Sequence, residues 1–299
     1  MPLINLVLNS NNVIGNSNSQ FRYRFLNGAF NVPEGSEMCV SQIVVPYSWF
    51  NVNATYYQNQ TLQYRFYYGA GLYNTYTVTF PNGFYAVSDL NNYLQQYMIA
   101  QNQYLINNST GQYLYFIEIF QNTTYYANQI ICFAEPTSLP AGYTAPPAGF
   151  NYNNATAYGY PTSTLTPQVV IPVYTGFNGF GSLIGFLPGT YPPTAQTTTY
   201  NVLSNTTPNA TPVNSVVVQC DKCRNECTIP SNVLDTFSIT STFGSNINYS
   251  PSYEKWIKLD SGQFNDIVIT LADQNFNLIS ANDPNVLISL LINLGPSKK

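Results

Sequence analysis

Three cysteines fall close together in Cys220-Asp-Lys-Cys223-Arg-Asn-Glu-Cys227. Thiolates at this spacing can ligate zinc, with Asp221 or a distant Cys39 or Cys132 as fourth ligand. Structural zinc sites usually pair two such knuckles, and the chain has no second pair. The same trio can hold a disulfide, or reduced thiols at a strand end, the reading favoured here. With 5 cysteines, at least one stays unpaired within a chain, which suits a reducing compartment better than a secreted disulfide scaffold.

Carboxylates cluster late, at Glu254, Asp260, Asp266, Asp273 and Asp283. A carboxylate pair can hydrolyse glycosides or hold calcium. Asp273-Gln-Asn and Asn282-Asp-Pro read instead as turns between strands, where short polar side chains cap their own backbone. Gly176-Phe-Asn-Gly179-Phe-Gly181 reads as punctuation between a strand and a loop with no helix after it, so it is no phosphate cradle. Histidine is absent, which removes a His-dependent triad, a His-ligated metal and a His proton shuttle. No catalytic, cofactor-binding or metal-binding residue is assigned. With 9 Lys+Arg against 13 Asp+Glu, the chain also lacks the basic surface that nucleic-acid binding requires.

The elements that would position such groups are β-strands. Charged residues make up 7% of the 299 residues and aromatic ones 15%, led by 26 Tyr. A/T-rich codons explain abundant Asn, Tyr, Ile and Phe, yet Lys is A/T-encoded too and occurs only at 222, 255, 258, 298 and 299. A neutral, Tyr- and Asn-rich surface is cheap to desolvate against another subunit. Strand-like runs separated by Asn, Gly and Pro are expected at Ile4–Leu8, Phe21–Phe25, Met38–Val45, Leu62–Tyr68, Thr75–Phe80, Tyr113–Phe120 and Gln129–Phe133. Further runs are Gln168–Val173, Val213–Cys220, Thr236–Thr242, Phe264–Leu271 and Val286–Ile292. A single helix is expected from Ala86 to Gln101, with Val87, Leu90, Leu94, Tyr97 and Met98 on one face and Ser88 or Asp89 near its start. Many strands and one helix make an all-β sandwich or barrel. Trp49 and Trp256 read as core.

From Pro136 to Gln219 no residue is charged. Its first part, Pro136 to Pro167, reads as an insertion, ordered rather than a loose linker because Tyr143, Phe150, Tyr152, Tyr158 and Tyr160 can pack. The start, Met-Pro-Leu-Ile, lacks the features of a signal peptide, and no apolar run is long enough for a transmembrane segment. Asn-x-Ser/Thr sequons such as Asn53, Asn122, Asn205 and Asn248 are at the frequency this composition gives by chance.

Several short blocks share an order with a known family. Pro46-Tyr-Ser-Trp49-Phe-Asn51 closes a strand, and Phe80-Pro-Asn-Gly83-Phe-Tyr85 leads into the Leu90-Asn-Asn-Tyr-Leu94 helix. Leu8-Asn-Ser precedes the Phe21–Phe25 strand, Ser182-Leu-Ile-Gly185-Phe186 carries Ile184 where the family usually has Leu, and Trp256-Ile-Lys-Leu259 precedes Ile267-Val-Ile-Thr-Leu-Ala-Asp273-Gln. In this order the chain resembles the minor capsid (penton) proteins of the virophage and Polinton/Maverick virus lineage, over most of its length except Pro136 to Pro167.

The resemblance implies a single jelly roll of two four-stranded antiparallel sheets, expected over 1–133 and 167–299; the Pro/Tyr/Asn-rich stretch 134–166, which the resemblance does not cover, is expected as an insertion at its outer end. It further implies a non-enzymatic virion protein, a homopentamer at the five-fold vertices of an icosahedral dsDNA virus capsid, assembled in the host cytoplasm beside a double-jelly-roll major capsid protein. The rival reading is a secreted or surface β-sandwich that binds carbohydrate or mediates adhesion.

Overall fold

The computed structural model describes residues 3–26, 28–69, 71–151, 159–174 and 179–296. The chain divides into two compact units, Met1–Phe50 with Val213–Lys299, and Asn51–Pro212. The second unit is thus one continuous stretch inserted into the first.

The first unit is built on eight strands: β1 (Leu3–Leu8), β2 (Gln20–Arg24), β3 (Glu37–Pro46), β4 (Ser215–Cys220), β5 (Val233–Ser238), β6 (Asn246–Tyr249), β7 (Asp266–Ala272) and β8 (Leu287–Asn293). One sheet runs β1-β8-β3, with β6 paired to the C-terminal half of β3. The other runs β5-β4-β7-β2. All pairings are antiparallel, and chain neighbours such as β1 and β2, or β7 and β8, lie in different sheets. This is the eight-stranded jelly roll, with the second unit entering between β3 and β4. Alternation explains why these segments are strands: Ile288, Leu290 and Ile292 on β8, and Ile267, Ile269 and Leu271 on β7, are buried, while the residues between them are not fully so. Short strands Ile257–Leu259 and Cys223–Arg224 extend the first sheet beyond the N-terminal end of β3.

The second unit has its own core. On one face, α1 (Val87–Ala100) supplies Val87, Leu90, Leu94 and Met98 to an interior that includes Leu62, Tyr64, Phe66, Phe116, Ile130 and Phe150. A four-stranded sheet orders Gly189–Tyr191, Gln168–Ile171, Thr61–Gly69 and Leu72–Thr79. A three-stranded sheet orders Tyr200–Leu203, Ala127–Cys132 and Ile117–Asn122. The helix starts one residue later than expected, and its first turn is held by the Asp89 carboxylate, which accepts from the Ala86 N–H at 2.8 Å. Tyr97 is half-buried at the margin of the core rather than within it.

Four expectations are corrected. The jelly-roll strands lie in 1–50 and 213–299, so the inserted body is far longer than 134–166; the strands of 61–132 alternate just as jelly-roll strands do, and pattern alone cannot say which sheet a strand joins. A second helix, α2 (Phe180–Ile184), follows Gly179, where the glycine run was read as having none. It ends at Gly185, whose φ of +81° suits glycine, and a Cβ there would lie 2.6 Å from the Thr206 carbonyl oxygen. Tyr113–Phe120 is two strands, Tyr113–Tyr115 and Ile117–Asn122, in different sheets. Trp49 is buried as expected, but Trp256 is only half-buried. Within the expected insertion, Phe150 is buried and stacks on Tyr160 at 5.2 Å between centroids, so this part is ordered; Tyr152, Tyr158 and Gly176 to Asn178 lie outside the described residues.

Candidate functional site

The cysteines come only partly together. Cys220 ends β4, and Cys223 lies in the short strand that follows, both buried, whereas Cys227 is exposed. A hydrogen bond shared with its neighbour Cys220, then burial, pushes the Cys223 thiol well up. Burial likewise pushes Cys39 up to about 11 and raises Cys132. All five are free thiols, and among the described residues no group of three His, Cys, Asp or Glu side chains is arranged to hold a metal.

The late carboxylates also have separate partners. Asp266 pairs with Arg22 and Asp260 with Arg224, each at 3.4 Å. Asp273 accepts from the Asn275 and Asn277 N–H groups at 2.8 and 2.9 Å, and Asp283 accepts from Asn285 N–H at 2.9 Å, the geometry of turns. A third arrangement had no signal in the sequence. Asp235 on β5, 5% exposed, accepts from Lys255 Nζ and from the Tyr249 hydroxyl, both at 2.7 Å, beside a stacked Phe237–Tyr249 pair. This lock borders a groove of about 710 Å³ along the open edges β5 and β6, lined mostly by neutral groups such as Thr236, Ser238, Asn248 and Phe276, with Lys255. Burial is what makes Asp235 visible, and the sequence carries no pattern for it.

Charge is divided unequally. All five ion pairs among the described residues lie in the first unit. Between 51 and 212 the only charged residues are Arg65, Asp89, Glu118 and Glu135. Glu135 is fully buried; it accepts from the Tyr67 N–H at 3.2 Å, and burial holds its carboxyl well above the usual range. The second unit therefore presents an almost uncharged surface.

In that unit the structure joins residues of two sequence blocks. Asn51, 1% exposed, donates from Nδ2 to the Tyr85 and Ala210 carbonyls and accepts the Tyr85 N–H on Oδ1, each at 2.8 Å. Val52 and Gly83 form a bridge beside it. A Cβ on Gly83 would approach the Tyr85 ring to 2.8 Å, so glycine lets that ring lie flat against the backbone. Asn51 in this way fixes two walls of a cavity of about 280 Å³, formed by Phe84 to Val87 on one side and Pro208 to Thr211 on the other. Its third wall is the hairpin carrying Gln121, Tyr126 and Asn128.

No protein-family model and no curated protein matches this sequence. Among solved structures, the chain is similar to the crystal structure of the mavirus penton protein, with 10% identity and a TM-score of 0.41 over 98% of this chain and 99% of that one. It is also similar to a chain of the Sputnik virophage structure determined by cryo-EM, with 13% identity and a TM-score of 0.37 over 98% and 97%.

Proposed function

We propose that this chain is a structural virion protein: a minor capsid (penton) subunit that forms homopentamers at the five-fold vertices of an icosahedral dsDNA virus capsid. Its neighbours there are copies of itself and a double-jelly-roll major capsid protein, and it is placed in the host cytoplasm during assembly and in the virion thereafter. The observation that carries this reading is the eight-stranded jelly roll with a nearly uncharged β unit inserted between β3 and β4. Jelly rolls serve capsids and lectins alike. The ordered blocks from Trp49 to Asn51 and from Gly83 to Tyr85, which carry the resemblance to penton proteins, favour the capsid. The reading assigns no catalytic residue; Asp260, Asp266 and Asp273 each hold a separate structural partner.

A five-fold ring is a heterologous contact that closes, so opposite flanks of a subunit must differ and fit. Neutral flanks bury no ion pairs and escape the cost of dehydrating them. The mass of the purified oligomer tests the proposal: five copies are expected, and one or three refute it. The pentamer is expected to persist at about 1 M salt, where screening reaches within about 3 Å. Its dissociation there would contradict an uncharged interface.

A further inference from the structure

We propose that the cavity between the Tyr85 segment, the Tyr126 hairpin and the 208–211 segment binds an uncharged sugar ring. Its size, about 280 Å³, fits one pyranose with its exocyclic groups better than an extended polymer. No charged side chain lines it, so neither a phosphate nor an acidic sugar finds an ion pair. What does line it is the mixture that a pyranose requires: aromatic faces for its C–H surface and amides for its hydroxyls.

The aromatic part is held in place. Tyr85 donates its hydroxyl to the Pro81 carbonyl at 2.9 Å and packs edge-on against Phe80 at 6.0 Å between centroids. Tyr126 is 76% exposed and has a φ of +50°, a left-handed conformation that costs energy for a bulky residue. The chain thus accepts local strain to carry an exposed aromatic ring at the rim of the cavity. The amide part comes from Gln121 and Asn128, which face each other across the hairpin. Asn128 is 1% exposed; its Nδ2 donates to the Ile184 carbonyl at 3.1 Å, which fixes the plane of the amide. Gln121 is exposed and can supply both a donor and an acceptor. Asn51 sets the spacing of the walls by bonding both, so the site is formed before ligand arrives.

The proposal does not depend on the capsid reading, and oligomer mass and sugar binding are measured separately. Saturation-transfer NMR on the full-length protein with methyl glucoside, methyl galactoside, methyl mannoside and N-acetylglucosamine, each at about 10 mM, is the test, since single sugars on such sites bind weakly. Transfer to the ring protons of at least one of them is expected, falling roughly tenfold in Tyr126→Ala, with circular dichroism and oligomer mass unchanged. A Gln121→Ala variant, altered only at an exposed side chain, is expected to weaken the same signal. No transfer from any of the four, transfer undiminished in both variants, or a stronger signal from N-acetylneuraminic acid than from the neutral sugars would each overturn the proposal.

Discussion

Replacing Asn51 with alanine removes one buried side chain that bonds three backbone groups. Its Nδ2 donates to two carbonyls and its Oδ1 accepts one N–H, all at 2.8 Å. Each such bond contributes a net of about 1 kcal/mol, so the loss is about 3 kcal/mol, or roughly a hundredfold in the folding equilibrium of the second unit. In urea, with a slope of about 2 kcal/mol/M, the midpoint falls by about 1.5 M. Both tryptophans, Trp49 and Trp256, lie in the first unit, so tryptophan fluorescence reports on that unit while near-ultraviolet tyrosine circular dichroism follows the second. The two signals are expected to separate in the variant, the tyrosine transition moving first. Hydrogen exchange at the Tyr85 amide, whose acceptor is gone, is expected to accelerate. Asn51→Asp sharpens the test, because it keeps the acceptor for Tyr85 but turns a carboxylate oxygen toward two carbonyls. It is expected to be at least as unstable at neutral pH and to recover partly as acid protonates it. A shift in Asn51→Ala below about 0.5 kcal/mol would refute the view that this amide holds the walls together.

Two further predictions concern buried ionisable groups. The Glu135 carboxyl is held above its ordinary 4.5 by burial, and the titratable groups that feel its charge are Tyr67, Tyr76 and Cys132. Folded protein therefore retains a proton that unfolded chain releases, so its contribution to stability is full below pH 4.5 and is lost as pH rises toward the folded value. Glu135→Gln is expected to flatten the decline of stability with rising pH; parallel curves for variant and parent would sink this reasoning. Thiol labelling of the native protein is expected to modify Cys227 quickly and the four buried thiols only after unfolding, when all 5 react. Rapid labelling of a second thiol would show that the Cys220–Cys223 pair is not shielded.

The elements themselves were largely legible. The alternation in Val286–Ile292 and Phe264–Leu271 matches β8 and β7 to within two residues, and the spacing of Val87, Leu90, Leu94 and Met98 gives α1. Turn chemistry placed Asp273 and Asp283 correctly, because an Asx side chain bonds to backbone a few residues away, and such contacts are written in local sequence. Long-range contacts were not. Nothing near Asp235 announces that Lys255 and Tyr249 converge on it, and nothing near Glu135 marks it as buried.

Sequence alone thus determined composition, periodicity and what is missing: strands, one long helix, no histidine, and a chain with little charge. Tertiary structure decided which strands share a sheet, and so moved residues 51–212 into a unit of their own. It also decided that the scarcity of charge belongs chiefly to that unit and that Asn51 reaches Tyr85, 34 residues away, to form a cavity wall. The physical reason is that periodicity reports which face of an element is buried, whereas the choice of partner comes from side-chain fit summed over the whole core.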